Sequence, residues 1–119
     1  MLKNGCYKYH CPTHKIDYVG ETNRSFKIRD QEHKRAAEKG NWSHSGLTQH
    51  KRECSAPISE PEILSTGNQK MKKDQLKHHL RVQESLFIRR YDCGPNRGMN
   101  EDWGAYVKTS AWAPVFNRM

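Results

Sequence analysis

Polar and apolar residues alternate from the first few positions of the chain. Residues 4 to 10 read Asn-Gly-Cys-Tyr-Lys-Tyr-His, with Cys6 and Lys8 on one side of a two-residue period and Tyr7 and Tyr9 on the other. That alternation, with its aromatic content, predicts a short strand. Pro12 breaks the pattern in Cys11-Pro-Thr-His-Lys, and Ile16-Asp-Tyr-Val resumes it. Two strands joined this tightly predict a hairpin that brings Tyr7 near Tyr18, in a register the sequence does not fix. Gly20 is expected to end the second strand, and Thr22, Asn23 or Ser25 to cap a helix. On that helix Phe26, Arg29, His33 and Ala36 or Ala37 share one face, three and four residues apart. Gly40 supplies its stop. A shorter helix is expected within 41–54, opened by Ser43 or Ser45, and residues 55–61, with two prolines, form a loop. Pro61-Glu-Ile-Leu-Ser-Thr reads as a third strand ended by Gly67 and Asn68. A long helix follows from about Lys72 to Tyr91, with a stripe of Leu76, Leu80, Glu84, Phe87 or Ile88, and Tyr91. Cys93-Gly94-Pro95 ends it.

Two of these stripes hold charge where apolar side chains belong. Arg29 and His33 lie between Phe26 and the alanines, and Glu84 lies between Leu80 and Ile88. An ionised group in a packed seam is costly unless it is paired or used. For the first helix the alternatives are a partly exposed edge and a working site. For Glu84 they are an ion pair with Arg81, a carboxyl of shifted pKa, and a metal ligand.

With 119 residues, 34% of them hydrophobic, the chain is expected to form a single domain with a modest core. The core is expected over 4–96, and the segment 97–119 as a C-terminal extension. Trp103, Tyr106, Trp112, Val115 and Phe116 predict that the extension packs back on that core. Lys and Arg number 21 against 13 Asp and Glu, a net charge of +8. Such an excess on a small domain points to a polyanionic partner, chiefly nucleic acid. Nothing approaches the ~20 apolar residues of a membrane span, and no apolar leader is visible, so a soluble intracellular protein without membrane contact is expected. In that setting Cys6, Cys11, Cys54 and Cys93, with seven histidines in the chain, favour metal binding or free thiols over disulfides.

The motif order now carries a resemblance. Gly5-Cys6-Tyr7, then Tyr18-Val19-Gly20 eleven residues on, then Arg29, resembles the signature of the GIY-YIG nuclease family. The stretch Tyr18-Val-Gly-Glu-Thr-Asn-Arg-Ser-Phe-Lys-Ile-Arg, with Glu32 and His33, is especially similar to the form found in Penelope-like retroelements, and also resembles phage intron homing endonucleases. It departs from the family name at Cys6 and Val19, both apolar strand positions where no catalytic consequence is expected. The resemblance spans roughly 4–96. It implies an α+β fold, a small three-stranded antiparallel sheet flanked by helices, and metal-dependent hydrolysis of a DNA phosphodiester. By position it implies that Tyr7 and Tyr18 line the site, Arg29 contacts the scissile phosphate and Glu84 holds a divalent cation, Mg²⁺ or Mn²⁺. His33 and His44 match histidines of the family. Asn96 matches an asparagine after the glutamate helix, with Asn100 as the alternative. A tyrosine pKa near ~10 is high for a base, so Tyr7 would need a cation beside it, with Lys8, Lys15 or the metal as the choices. Lys34 and Arg35, with the run 70–73, are expected to track phosphates or to form a solvated face.

A second constellation rests on spacing. Cys11 and His14 are separated by two residues, and His50 and Cys54 by three, both suited to structural Zn²⁺. His10 and His44 compete as ligands. Penelope-like nucleases are similar in carrying a Cys and His cluster between the two signature motifs. The alternatives to a DNA endonuclease of mobile-element origin are a catalytically inactive, zinc-stabilised DNA-binding module and an adaptor for an acidic protein. Targeting is expected from fused or associated partner domains, location is nuclear if the host is eukaryotic, and the oligomeric state is left open.

Overall fold

The computed structural model describes residues 4–54, 56, 58–67 and 70–104. In chain order these form β1 (Gly5–Cys11), β2 (Ile16–Thr22), α1 (Phe26–Glu38), a 3-10 turn (Trp42–His44), α2 (Gly46–Glu53), β3 (Glu62–Thr66) and α3 (Lys73–Arg90). The sheet is antiparallel with strand order β2-β1-β3, so the hairpin's first strand becomes the centre. This is the α+β arrangement expected from the sequence.

The two-residue period sorts the side chains into two layers. Tyr7, Tyr9, Cys11 and Tyr18 pack with Phe26, Leu47, Cys54 and Met99 on the face covered by α1 and α2. On the opposite face Val19 packs with Ile88 and Cys93, with Leu64, Phe87, Tyr91 and Trp103 around them, and the Cys6 thiol reaches the Leu80 carbonyl of α3. Fully burying an aromatic or branched side chain contributes ~1.5–3 kcal/mol, so these layers hold α1 and α3 against opposite faces. Of the tail, Met99 and Trp103 pack on the core, while Tyr106, Trp112, Val115 and Phe116 lie outside the described residues.

Ser25 caps α1, accepting from the Ile28 amide, and Ser45 caps α2 in a capping box closed by Thr48. Gly40 ends α1 at a positive φ of 70°. Gly20 does not end β2, which continues to Thr22. It lies opposite Tyr7 in the ladder, and a Cβ there would sit 2.5 Å from the Tyr7 hydroxyl. The glycine therefore makes room for a side chain inside the strand. Along β2, Asn100 bonds the Val19 backbone twice, its Oδ1 accepting from the amide at 2.9 Å and its Nδ2 donating to the carbonyl at 2.7 Å.

Candidate active site and metal centre

On the face beneath α1, Tyr7, Arg29 and His33 meet in one hydrogen-bonded chain. Arg29 Nε donates to the Tyr7 hydroxyl at 3.3 Å, and that hydroxyl lies 2.9 Å from His33 Nε2. The Tyr18 ring stands edge-on to the His33 ring, centroids 5.8 Å apart. The helix and strand periods produce this meeting: β1 and β2 turn the two tyrosines to one face, and α1 lays Phe26, Arg29 and His33 across them. His33 is wholly buried. Burial, reinforced by the charges of Arg29 and His44, lowers its pKa to about 3, so its ring is neutral at physiological pH. Tyr7 is pushed well above its ordinary value, by burial first and then by Tyr18, with Arg29 opposing. Burial also leads the rise of Tyr18. Next to the site, Tyr9 donates to Asp30 at 2.6 Å, and Asp30 pairs with Lys34 at 2.9 Å.

Glu84 comes from the other layer, on α3. Burial, and then the negative charges of Glu21 and Asp102, push its carboxyl up to about 8, while Arg81 and Arg29 ease it. Its charge acts in turn on Tyr7 and Tyr18, so both layers contribute to one electrostatic site alongside β2. A carboxyl raised to about 8 is largely protonated at neutral pH, and a divalent cation of the Mg²⁺ type, which suits hard oxygen ligands, would favour its ionised form. Glu21 and Asp102 are members that sequence reading misses. Glu21 follows Gly20 directly, yet its nearness to Glu84 depends on how α3 crosses the sheet.

The remaining expected residues fall at different distances from this centre. His44 stands beside His33, ring centroids 5.3 Å apart, and its Nε2 is buried without a hydrogen-bond partner. Asn96 is exposed in the turn after α3, in a left-handed conformation with φ 65°, and the described residues give its side chain no partner. Asn100 instead is the asparagine fastened to β2. Lys34 is held by Asp30 and Glu60, and Arg35 is exposed. Lys8 faces away from Tyr7, pairing with Glu62 and lying over the Tyr91 ring, and Lys15 is exposed in the hairpin turn. Neither lysine is the cation beside Tyr7; that position belongs to Arg29.

The second constellation closes as a cluster. The donor atoms of Cys11, His14, His50 and Cys54 all lie within 4.8 Å of one another. Cys11 Sγ is 3.8 Å from Cys54 Sγ and 3.5 Å from His14 Nδ1. A tetrahedral ion with ~2.3 Å bonds to sulfur and ~2.0–2.1 Å bonds to nitrogen separates its ligands by about these distances. His50 Nε2 is buried and has no hydrogen-bond partner, an orphan that a metal bond would satisfy. Burial raises the Cys11 thiol, but hydrogen bonding with His14 and Cys54, with His50 close by, outweighs it and brings the pKa down to about 6, favouring the thiolate a metal requires. The residues thus fit a metal. His10 does not take part, being paired with Asp17 at 2.7 Å.

No family model matches the chain, and no curated protein matches it. Among solved structures it resembles the catalytic domain of the intron endonuclease I-TevI, in a glutamate-to-alanine mutant, with a TM-score of 0.66 and 21% identity. The match covers 83% of this chain and 93% of that one. At this identity the likeness is one of fold. Among the described residues, no helix is long and apolar enough to cross a membrane.

Proposed function

We propose that this chain is a DNA endonuclease of the GIY-YIG family that hydrolyses phosphodiester bonds with the help of a divalent cation. The observation that carries the reading is the meeting of Tyr7, Arg29 and His33 in one hydrogen-bonded chain beside Tyr18, with Glu84 of the other layer within electrostatic reach. The shared fold with an intron endonuclease's catalytic domain and the charge of +8 support it.

Each group has a chemical part. Arg29 offers donors to phosphate oxygens and compensates charge that builds on them. Tyr7, held as a phenol by its burial, orients the attacking water by hydrogen bonding. Tyr18 flanks that position, and His44, its ring beside that of His33, borders the face that meets the nucleic acid. Glu84, with Glu21 nearby, holds the cation, Mg²⁺ or Mn²⁺, which when bound supplies Lewis-acid stabilisation of the phosphate. The exposed Arg35 adds sequence-independent contact to the backbone, and Lys34 does so on leaving its carboxylate partners. Asn96, exposed after α3, meets the substrate from the rim, and Asn100 supports the site through β2. Cys11, His14, His50 and Cys54 hold a structural Zn²⁺. The closeness of the Tyr18–His33 stretch to Penelope-like elements supports a mobile-element origin.

The test is nicking of supercoiled plasmid with Mg²⁺ or Mn²⁺ by the parent and by Glu84→Ala, each confirmed as folded. Cleavage by the parent that is lost in the variant supports the reading and the role of Glu84. Equal cleavage by both sinks the assignment of Glu84. Salt-sensitive DNA binding without cleavage by either replaces the enzyme with a binding module of the same fold.

A further inference from the structure

The chain of hydrogen bonds does not end at His33. On the far side of the ring, His33 Nδ1 lies 3.3 Å from Ser45 Oγ, the N-cap of α2. Ser45 Oγ also accepts from the Thr48 amide at 3.3 Å, and the Ser45 amide donates to Thr48 Oγ1 at 2.9 Å. The single Thr48 hydroxyl proton has two backbone carbonyls within reach, that of Ser45 at 2.9 Å and that of Trp42 at 3.1 Å. His33, Ser45 and Thr48 are all buried. A helix cap therefore forms the back wall of the tyrosine–histidine pair.

Proton counting fixes the direction of these bonds. Arg29 has donors only, so the Tyr7 oxygen must accept from it. The buried Tyr7 O–H then needs an acceptor, and among the described residues His33 Nε2 is the one within reach. A neutral imidazole that accepts at Nε2 carries its proton at Nδ1. That proton points to Ser45 Oγ, whose own proton is then directed to Thr48 Oγ1, 3.4 Å away. The opposite tautomer would make the Tyr7 oxygen accept from both Arg29 and His33 and leave its own proton without a protein partner.

We propose that Ser45 is a positioning residue of the site: its hydroxyl accepts the Nδ1 proton of His33, leaves Nε2 to receive the Tyr7 hydroxyl, and so turns the Tyr7 lone pairs toward Arg29 and the substrate. The functional half of this assignment rests on the nuclease reading, whereas the tautomer half does not. The geometry also gives α2 two tasks, since His50 and Cys54 of the metal cluster follow Ser45 along the same helix segment.

The test reads the His33 ring nitrogens of the zinc-loaded full chain by ¹H–¹⁵N NMR, beside plasmid nicking with Mg²⁺. Ser45→Gly removes the acceptor while costing an N-cap only a few tenths of a kcal/mol, and Ser45→Thr restores a hydroxyl. The parent is expected to show a protonated Nδ1 and a bare Nε2. In Ser45→Gly that preference should weaken, with nicking reduced about 10- to 100-fold at little change in the DNA concentration giving half-maximal rate. Ser45→Thr should recover both. A protonated Nε2 in the parent, or a Ser45→Gly ring unchanged from the parent, overturns the proposal. If no variant nicks DNA, the nuclease reading fails while the tautomer measurement still decides the role of Ser45. Should Ser45→Gly fail to fold, Ser45→Asp keeps the cap and gives Nδ1 a carboxylate acceptor. His33 must then titrate at higher pH than in the parent, and an unchanged titration also overturns the proposal.

Discussion

The metal cluster and the tyrosine–arginine cluster are built against the same sheet face, yet they differ in almost every physical respect. Cys11, His14, His50 and Cys54 are two short sequence pairs whose donors converge, leaving one nitrogen without a partner. Their arrangement is satisfied by a single ion and offers nothing to a larger ligand. Tyr7, Arg29, His33 and Glu84 come from three elements, the first three hydrogen-bonded to one another, and carry perturbed pKa values of both directions. The first constellation closes the hairpin turn onto the end of α2, whereas the second keeps charged and polar groups poised alongside β2. On the proposed reading the contrast separates a holding site from a working one, with α2 attached to both.

The sharpest way to break that contrast is to remove a holder. The parent is expected to carry about one zinc per chain by elemental analysis, and Cys54→Ser should abolish that binding. Structural zinc supplies several kcal/mol of folding free energy, a large share of the ~5–15 kcal/mol that a small domain possesses. The thermal midpoint should therefore fall by more than about 10 °C. A parent that contains no zinc and melts identically with and without a zinc chelator would make the cluster an ordinary buried quartet.

Arg29→Ala should do the opposite, sparing the fold and harming the chemistry. Its guanidinium is half-buried, bonded to Tyr7 and 3.8 Å from Glu32, and carries little of the core. Nicking should drop by about 10²–10³-fold, the scale for losing one preorganised donor to a developing charge. Stability should change by about 1 kcal/mol or less. A variant that nicks normally would remove Arg29 from the working site.

Gly20→Ala probes the boundary between the two descriptions. The added methyl would meet the Tyr7 ring and hydroxyl at 2.5 Å, and overpacking of this kind costs ~1–3 kcal/mol. Because Tyr7 is the group that must yield, nicking should fall with stability, and the Tyr7–His33 hydrogen bond should weaken in the NMR spectrum. Unchanged melting and nicking would mean that β2 opens at Gly20 without disturbing Tyr7.

Much of this could be read from residue order because it depends on short-range periods. Strand alternation placed Tyr7 and Tyr18 on one face, helical spacing joined Arg29 to His33, and spacings of three and four paired the metal ligands. Glu84 stood out as a carboxylate inside an apolar seam. Long-range packing explains what was not legible. Gly20 looks like a strand end until the register sets it opposite Tyr7. Ser45 looks like a cap and nothing more until α1 and α2 cross. Glu21 and Asp102 gain meaning only from the placement of α3, and the different surroundings of Asn96 and Asn100, one exposed and one fastened to β2, follow from the path after Gly94.

His33 offers the smallest and most specific effect, one carried by the working site alone. Its folded pKa of about 3 lies below the unfolded value of 6.5, so in mild acid the unfolded chain binds a proton that the native chain refuses. Stability contributed by the neutral, buried ring is therefore complete above pH 6.5 and lost progressively as pH falls toward 3. In the middle of that window the slope is about 1.4 kcal/mol per pH unit at most. Protonation of the metal ligands adds its own acid sensitivity, so the measurement is the difference in slope between the parent and His33→Gln, by chemical denaturation between pH 6 and 5 at fixed zinc. The variant should be less stable at neutral pH yet lose less on acidification, by on the order of 1 kcal/mol per unit. Equal slopes would show that His33 titrates as an exposed histidine does and would overturn the neutral ring inferred from its burial between Tyr7 and Ser45.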